Sequence, residues 1–189
     1  MTTMITILTP GYADWETALL NATAREYYRI DTIYASPGGE PVTSLGGLRV
    51  SPSLAVEDID VENAEAILVN GGTVWSTPAA PDIGPLLRSA HAAGRTVGGI
   101  CDGVLALARA GLLDNVRHTA NGPESLPDTG YAGAANFVSS ARAVRHGTII
   151  TAPGTAPVSF MGAVLESLGR RNNDLDFYSG LHAAEHLPE

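Results

Sequence analysis

The sequence predicts an α/β fold in which a mostly parallel β-sheet is covered by helices on both faces, as a three-layer sandwich. Short apolar runs alternate with longer amphipathic segments along the chain, which is typical of such sheets. Hydrophobic residues make up 44% of the 189 positions, enough to build one core. No repeat or linker divides the chain, so residues 1–189 are interpreted as a single domain.

The N-terminal part of the chain is predicted to contain two strands, a helix and a hairpin. Residues 4–8 form an apolar, β-branched run that a proline and a glycine end, which predicts a strand. Asp14 is a suitable N-cap for a helix over 14–28, because its side chain can accept hydrogen bonds from the first turn. Residues 31–35 predict the second strand. Paired glycines between two short runs predict a hairpin over 41–51.

The middle of the chain continues the order of strand followed by helix. An acidic segment over 56–65 is expected to be exposed, and the wholly apolar run 66–69 predicts a buried strand. A helix is expected over 82–93, because a glycine directly after it can end it. The next strand, 96–100, runs directly into a turn and a helix over 104–110.

The last third of the chain is predicted to contain shorter elements around a loop rich in glycine, proline and alanine. Strands are predicted at 116–119, 136–144 and 148–151, the loop at 123–135, and helices at 158–169 and 175–186. A His-Gly turn separates the last two strands.

The composition excludes several classes of function. The 11 basic and 20 acidic residues give a net charge of −9, which opposes binding to nucleic-acid phosphates. The chain has no lysine, which excludes a Schiff-base lysine and a phosphate-loop lysine. Its single cysteine, Cys101, excludes an intramolecular disulfide and a multi-cysteine metal site. We expect a cytoplasmic protein, because the N-terminus lacks a signal pattern and no run approaches the ~20 apolar residues of a membrane span.

A G-x-C-x-G turn at residues 99–103 joins a predicted strand to a predicted helix and is typical of a nucleophile elbow. Such a turn lifts its central residue, Cys101, clear of the carboxyl end of the strand. It also places the sulfur at a helix N-terminus, where free N–H groups favour the thiolate, so we expect the Cys101 pKa to be lowered. The alternative is a buried structural cysteine, but the flanking glycines favour a reactive thiol.

Asn70, Gly71 and Gly72 follow a buried strand, and paired glycines let the backbone approach a ligand closely. We expect the N–H groups of Gly72 and Asp102 to form an oxyanion hole, with Gly71 in contact with substrate. The alternative is an ordinary tight turn.

Two acidic residues are candidates for the proton chemistry. Glu16 lies in the first turn of the first helix, where an acid also simply complements the helix dipole. If it hydrogen-bonds Cys101 instead, its pKa is raised and it becomes a proton donor. Asp102 directly follows Cys101, where a carboxylate opposes ionisation of the sulfur or holds a water or a substrate N–H. His118 is the histidine after the elbow that can return to the carboxyl edge of the sheet.

Four segments together resemble the ThiJ/PfpI superfamily, the DJ-one family, whose fold is the flavodoxin-like sandwich of the class I glutamine amidotransferases. The segments are residues 11–17, 68–72, 100–113 and 150–155, and the third is similar to the family's elbow and following helix. In this resemblance Glu16 takes the place of the family's acidic residue and Cys101 that of its nucleophile.

The chain also departs from the family's pattern. Many members have a histidine directly after the nucleophile, where this chain has Asp102; others have one after the elbow helix, where this chain has Asn121. The segment 151–157 lacks the His-x-Glu pair of true glutaminases, which disfavours glutamine hydrolysis. We expect Asn121 and Thr155 to contact substrate, and His118 is the remaining candidate base.

The resemblance implies a cysteine-dependent enzyme that acts on a small electrophile, as a hydrolase, a hydratase or lyase, or a glyoxalase or deglycase. Cys101 would attack and Glu16 would manage the proton. The alternative is a non-enzymatic sensor in the stress response, or a chaperone-like protein, in which Cys101 is oxidised. The resemblance also implies a homodimer. No cofactor, metal ion, nucleic acid or membrane is expected as a partner.

Overall fold

The structure, a computed structural model, describes residues 2–184 and is built on a seven-stranded sheet. In chain order the strands are β1 (Thr3–Ile7), β2 (Asp31–Ser36), β3 (Val42–Thr43), β4 (Arg49–Val50), β5 (Leu54–Ala55), β6 (Ala66–Val69), β7 (Thr96–Ile100), β8 (Val144–His146) and β9 (Ile149–Ala152). The order across the sheet is β5-β2-β1-β6-β7-β9-β8, and β3 and β4 form a separate antiparallel hairpin. Every neighbouring pair in the large sheet is parallel except β9 and β8. The predicted mostly parallel sheet is thereby confirmed.

Helices cover both faces of this sheet, as predicted. They are α1 (Asp14–Tyr28), α2 (Gly84–Ala92), α3 (Val104–Arg109), α4 (Pro157–Ser167) and α5 (Asn173–Ala184). Side chains alternate along a strand, so Ile67 and Val69 of β6 enter one core cluster, which holds the buried residues of α2 and α3. Leu68 enters the other cluster, with the buried faces of α1, α4 and α5. Both faces of the strand are apolar because both are covered.

Several predicted elements are present with slightly different ends. The second helix begins at Gly84, because Asp82 Oδ1 accepts a hydrogen bond from the Gly84 N–H at 3.0 Å and so precedes the first turn. The last helix begins at Asn173, and residues 185 and 186 of the predicted helix lie outside the described residues. The short strand β5 was not predicted from the sequence.

Two predicted strands are wrong. The segment 116–119 makes only an isolated bridge, between His118 and Phe137, and no continuous ladder. Of the strand predicted over 136–144, only Val144 lies in a strand, as the first residue of β8. The segment before it turns instead, because the Ser140 side chain accepts a hydrogen bond from the Arg142 N–H at 3.1 Å and competes with sheet pairing.

The sheet order places four chain segments at one edge. Strands β1, β6, β7 and β9 are neighbours and parallel, so the loops that follow them leave the sheet at the same end. These loops carry the segment before Glu16, the glycine pair, the elbow and the segment 153–156. Within residues 2–184, no helix combines the length and the apolar character that a membrane span needs.

Candidate active site

Cys101 occupies the strained position of the elbow. It follows β7, begins a 3₁₀ turn that leads into α3, and has a φ of 55°, which non-glycine residues rarely adopt. The glycines on either side leave the space that the turn needs. A Cβ at Gly99 would lie 2.9 Å from Leu107 Cδ1, and one at Gly103 would lie 3.0 Å from the Asn70 carbonyl oxygen. The strand-to-helix elbow predicted from the G-x-C-x-G pattern is therefore present.

The carboxyl group of Glu16 lies next to the sulfur. Its side chain is fully buried, and Oε2 accepts a hydrogen bond from the Gly71 N–H at 2.7 Å. The other oxygen, Oε1, has no N–H or O–H partner. A Cβ at Gly154 would lie 2.8 Å from Cys101 Sγ and 3.2 Å from Glu16 Oε1, so both atoms border the space beside this glycine. The pair expected from the sequence is thus brought together.

Asn70 restrains the segment that carries Glu16 through its hydrogen bonds. Its Oδ1 accepts a hydrogen bond from Thr17 Oγ1 at 2.6 Å, and its Nδ2 donates to the Ala13 carbonyl at 3.0 Å. Its own carbonyl accepts from Trp75 Nε1 at 2.9 Å. The end of β6 is therefore tied to the first turn of α1, the turn that carries Glu16.

Burial raises the pKa of Glu16 to about 7, since the charged form loses its hydration. Hydrogen bonds with Cys101 and the Gly71 N–H oppose this shift, and the charge of Asp102 adds to it. A carboxyl group with this pKa can take up and release a proton at neutral pH.

The lowered pKa expected for the Cys101 thiol is wrong. Burial raises the pKa to about 12, and the negative charge of Glu16 also raises it. Hydrogen bonds from Asn121 and from the Asp102 N–H act in the opposite direction, but they are outweighed. The position at a helix N-terminus does not decide the ionisation, because the sulfur is half-buried beside a carboxyl group.

Asp102 and Asn121 complete the surroundings of the sulfur. Asn121 Nδ2 donates to Cys101 Sγ at 3.2 Å and to Asp102 Oδ1 at 3.1 Å. Asn121 Oδ1 accepts from the Gly154 N–H at 2.9 Å. These bonds place the amide in contact with the nucleophile itself, and the substrate contact expected for Asn121 stays a prediction.

The catalytic role expected for His118 is not supported by its position. The ring is fully buried, with Nδ1 at 2.7 Å from the Val116 carbonyl and Nε2 at 2.6 Å from the Tyr131 hydroxyl. A carbonyl only accepts, so we assign the ring proton to Nδ1, and Nε2 accepts from Tyr131. Both ring nitrogens are used, and the ring also packs edge-on against Phe137.

Of the remaining predicted site residues, the two glycines after β6 are buried and Thr155 is exposed. Gly71 is buried, its N–H binds Glu16, and its carbonyl accepts from the Ala13 N–H and from Asn70 Nδ2. The substrate contact expected for Gly71 stays a prediction. Gly72 is buried beside Gly71, and its backbone has an extended φ of 167°. Thr155 is exposed at the same edge, directly after Gly154.

Two further contacts were not predicted from the sequence. The half-exposed Trp15 donates from Nε1 to the Gly154 carbonyl at 3.2 Å. Gly154 is therefore held through its N–H by Asn121 and through its carbonyl by Trp15. The only signal in the sequence was a Pro-Gly pair directly after an apolar strand, which many turns share. Among the described residues, no three histidine, cysteine or acidic side chains cluster as metal ligands.

Replacing Glu16 by glutamine should stabilise the protein at high pH and much less at low pH. The pKa of Glu16 is raised in the folded protein from 4.5 to about 7, so the carboxyl's contribution to stability is full below pH 4.5 and is lost as the pH rises through about 7. We expect the difference in unfolding free energy between Glu16→Gln and wild type to grow by about 3 kcal/mol between pH 4 and pH 8. Urea denaturation at both pH values measures it.

The matched control is Glu26→Gln, which makes the same change at an exposed position of the same helix. Its difference from wild type should stay constant between the two pH values. A difference for Glu16→Gln that also stays constant would contradict the raised pKa.

Replacing Gly154 by alanine should close the space between the thiol and the carboxyl group. The added methyl group would lie 2.8 Å from Sγ, so we expect slower alkylation of Cys101 and a loss of about 1–3 kcal/mol in stability from overpacking. Gly162→Ala is the control, because a Cβ there meets nothing within 4 Å. Equal alkylation rates and stabilities in the two variants would show that the space beside Gly154 is not restricted.

Comparisons with known proteins agree with this geometry. A profile of the DJ-1/PfpI family matches residues 2–167. The crystal structure of the DJ-1 superfamily protein Atu0886 from Agrobacterium tumefaciens superposes with a TM-score of 0.96 at 38% identity, covering 99% of this chain and 100% of that one.

Two curated proteins are also similar in sequence. The uncharacterized protease YdeA of Bacillus subtilis is 32% identical over 163 residues, which are 83% of this chain and 78% of that protein. The glutathione-independent glyoxalase DJR-1.2 of Caenorhabditis elegans is 32% identical over 85 residues, 44% of this chain and 46% of that protein. With a family profile that extends over nearly the whole chain and a sheet, elbow and acid–thiol pair arranged as described, this protein belongs to the DJ-1/PfpI family.

Proposed function

We propose that this protein is a cysteine-dependent enzyme that adds Cys101 to the carbonyl group of a small aldehyde, with Glu16 as the group that moves the proton. The observation that carries this proposal is the contact between a strained, half-buried thiol and a fully buried carboxyl group whose pKa is raised to about 7. Such a pair holds a nucleophile and a proton carrier together without a third titratable side chain.

The raised pKa values determine the order of events. Above about pH 7, Glu16 is a carboxylate while Cys101 keeps its proton. As Sγ attacks the carbonyl carbon, Glu16 takes the thiol proton and the electrons of the C=O π bond move to oxygen. Glu16 then gives the proton to that oxygen, so one S–C bond forms and a neutral hemithioacetal results. The N–H groups of Gly72 and Asp102 are our candidates for holding the oxygen while it is negative.

The surroundings of the sulfur favour carbonyl addition over cleavage of an amide bond. Release of an amine needs a group that protonates the leaving nitrogen, and cysteine proteases use a histidine. Within residues 2–184, no histidine hydrogen-bonds Cys101 Sγ. The side chain that does so is the carboxamide of Asn121, which does not titrate and cannot protonate a leaving group. The site of this chain therefore fits the reaction of a glyoxalase, such as the nematode protein, better than that of a protease.

The homodimer and the cytoplasmic location are predictions from the sequence. The oxidation sensor is the alternative function, because the same N–H donors that face the thiol would also face an oxidised sulfur.

The proposal predicts conversion of a small 2-oxoaldehyde and water into the 2-hydroxy acid by the purified protein. We expect kcat/KM to rise with pH through about 7, as Glu16 becomes the carboxylate that accepts the thiol proton. Glu16→Gln should lower kcat/KM by ~10²-fold or more and remove this dependence, and Cys101→Ala should abolish turnover. Product formation between pH 5 and pH 9 measures both effects.

Glu26→Gln is again the control and should leave turnover unchanged. Turnover of a peptide amide without turnover of the aldehyde would contradict the proposal. If the wild-type protein turns over neither the aldehyde nor the amide, and peroxide readily oxidises Cys101, the oxidation sensor is favoured.

A further inference from the structure

The side chain of Asn121 is fixed by three hydrogen bonds although the residue is exposed. Its Nδ2 group donates to Cys101 Sγ at 3.2 Å and to Asp102 Oδ1 at 3.1 Å, which uses both of its hydrogens. Its Oδ1 accepts from the Gly154 N–H at 2.9 Å. The loop after α3, the elbow and the loop after β9 are therefore connected through one carboxamide.

These partners also determine which way the carboxamide points. The Gly154 N–H requires an acceptor opposite it, and the Asp102 carboxylate requires a donor. A flipped amide would place two donors against each other at Gly154 and two oxygens against each other at Asp102. The network therefore holds an N–H group, and not an oxygen, against the sulfur.

An N–H donor on the sulfur acts on one protonation state more than on the other. A hydrogen bond to a charged acceptor is about twice as strong as one to a neutral acceptor, so this donor favours the thiolate and the negative sulfur in the attacking state. The titratable groups beside the sulfur are Glu16 from α1, whose charge raises the Cys101 pKa, and Asp102 from the elbow, whose carboxylate binds the same carboxamide. Asn121 is the side-chain donor that opposes the effect of Glu16.

We propose that Asn121 is a positioning residue of the nucleophile: its carboxamide holds a hydrogen-bond donor on Cys101 Sγ and restrains Asp102 beside it, without itself carrying a proton. This inference rests on the proposed role of Cys101 as nucleophile. It assigns to Asn121 a task different from binding substrate. It also leaves proton movement at the site to Glu16.

Alkylation by iodoacetamide tests the inference without any substrate. Cys101 is the single cysteine, so labelling followed by mass spectrometry reports this sulfur alone. Asn121→Asp removes the donor and adds a negative charge, and we expect labelling at pH 8 to slow by about tenfold or more, the effect of a one-unit rise in the thiol pKa. Asn121→Ala removes only the donor and should slow labelling by a smaller factor.

The control is Asn63→Asp, the same change at an exposed turn whose amide bonds Asp60. It should label like wild type. Rates within twofold of wild type for both Asn121 variants would overturn the inference, and Asn121→Ala keeps the test valid if the aspartate variant does not fold.

A second readout separates positioning from substrate binding. If Asn121 positions the sulfur, Asn121→Ala lowers kcat for the 2-oxoaldehyde with little change in KM; if it binds substrate, KM rises and the labelling rate does not change. The second result would overturn the inference. Slowed labelling in a protein that turns over no aldehyde would support the inference while the proposed function fails.

Discussion

The hydrogen bond from the Gly71 N–H to the buried carboxyl group of Glu16 is the interaction on which the site depends. A buried carboxyl group is costly unless its oxygens are satisfied, and here only one of them has a backbone donor. The unsatisfied oxygen lies at the sulfur of Cys101. The protein therefore keeps an energetically unfavourable group in place, beside the thiol of Cys101.

The scaffold offsets this cost through contacts that lie outside the reacting atoms. Asn70 is buried with its side-chain and backbone groups bonded, and it joins β6 to the start of α1. The elbow depends on Gly99 and Gly103, since any larger residue would meet the α3 side chains or the end of β6. These restraints come from neighbouring parallel strands, so the sheet order itself determines that an acid at the start of α1 meets a thiol at the elbow after β7.

The sequence was informative where local pattern and strand order are sufficient. Apolar runs and the G-x-C-x-G turn predicted the sheet and the elbow, and the first-turn position of Glu16 agreed with its contact to Cys101. The sequence was misleading where contacts between residues distant in the chain determine the environment of a side chain. Chain order made His118 a candidate base, but its ring is buried and bonded to Val116 and Tyr131. The thiol pKa was predicted from the helix terminus alone, and burial beside a carboxyl group outweighs that effect. The bonds of Asn121 join three loops, and no spacing along the chain encodes them.

The two hydrogen bonds that hold Gly154 have a consequence for tryptophan fluorescence. The chain has two tryptophans: Trp75 is fully buried with its indole bonded to Asn70, whereas Trp15 is 54% exposed and bonded to the Gly154 carbonyl. The same glycine is bonded to Asn121, which touches the sulfur. A covalent adduct on Cys101 that displaces this loop changes the solvation of one indole and leaves the other as an internal reference. We therefore expect the fluorescence of Trp15 to respond to such an adduct.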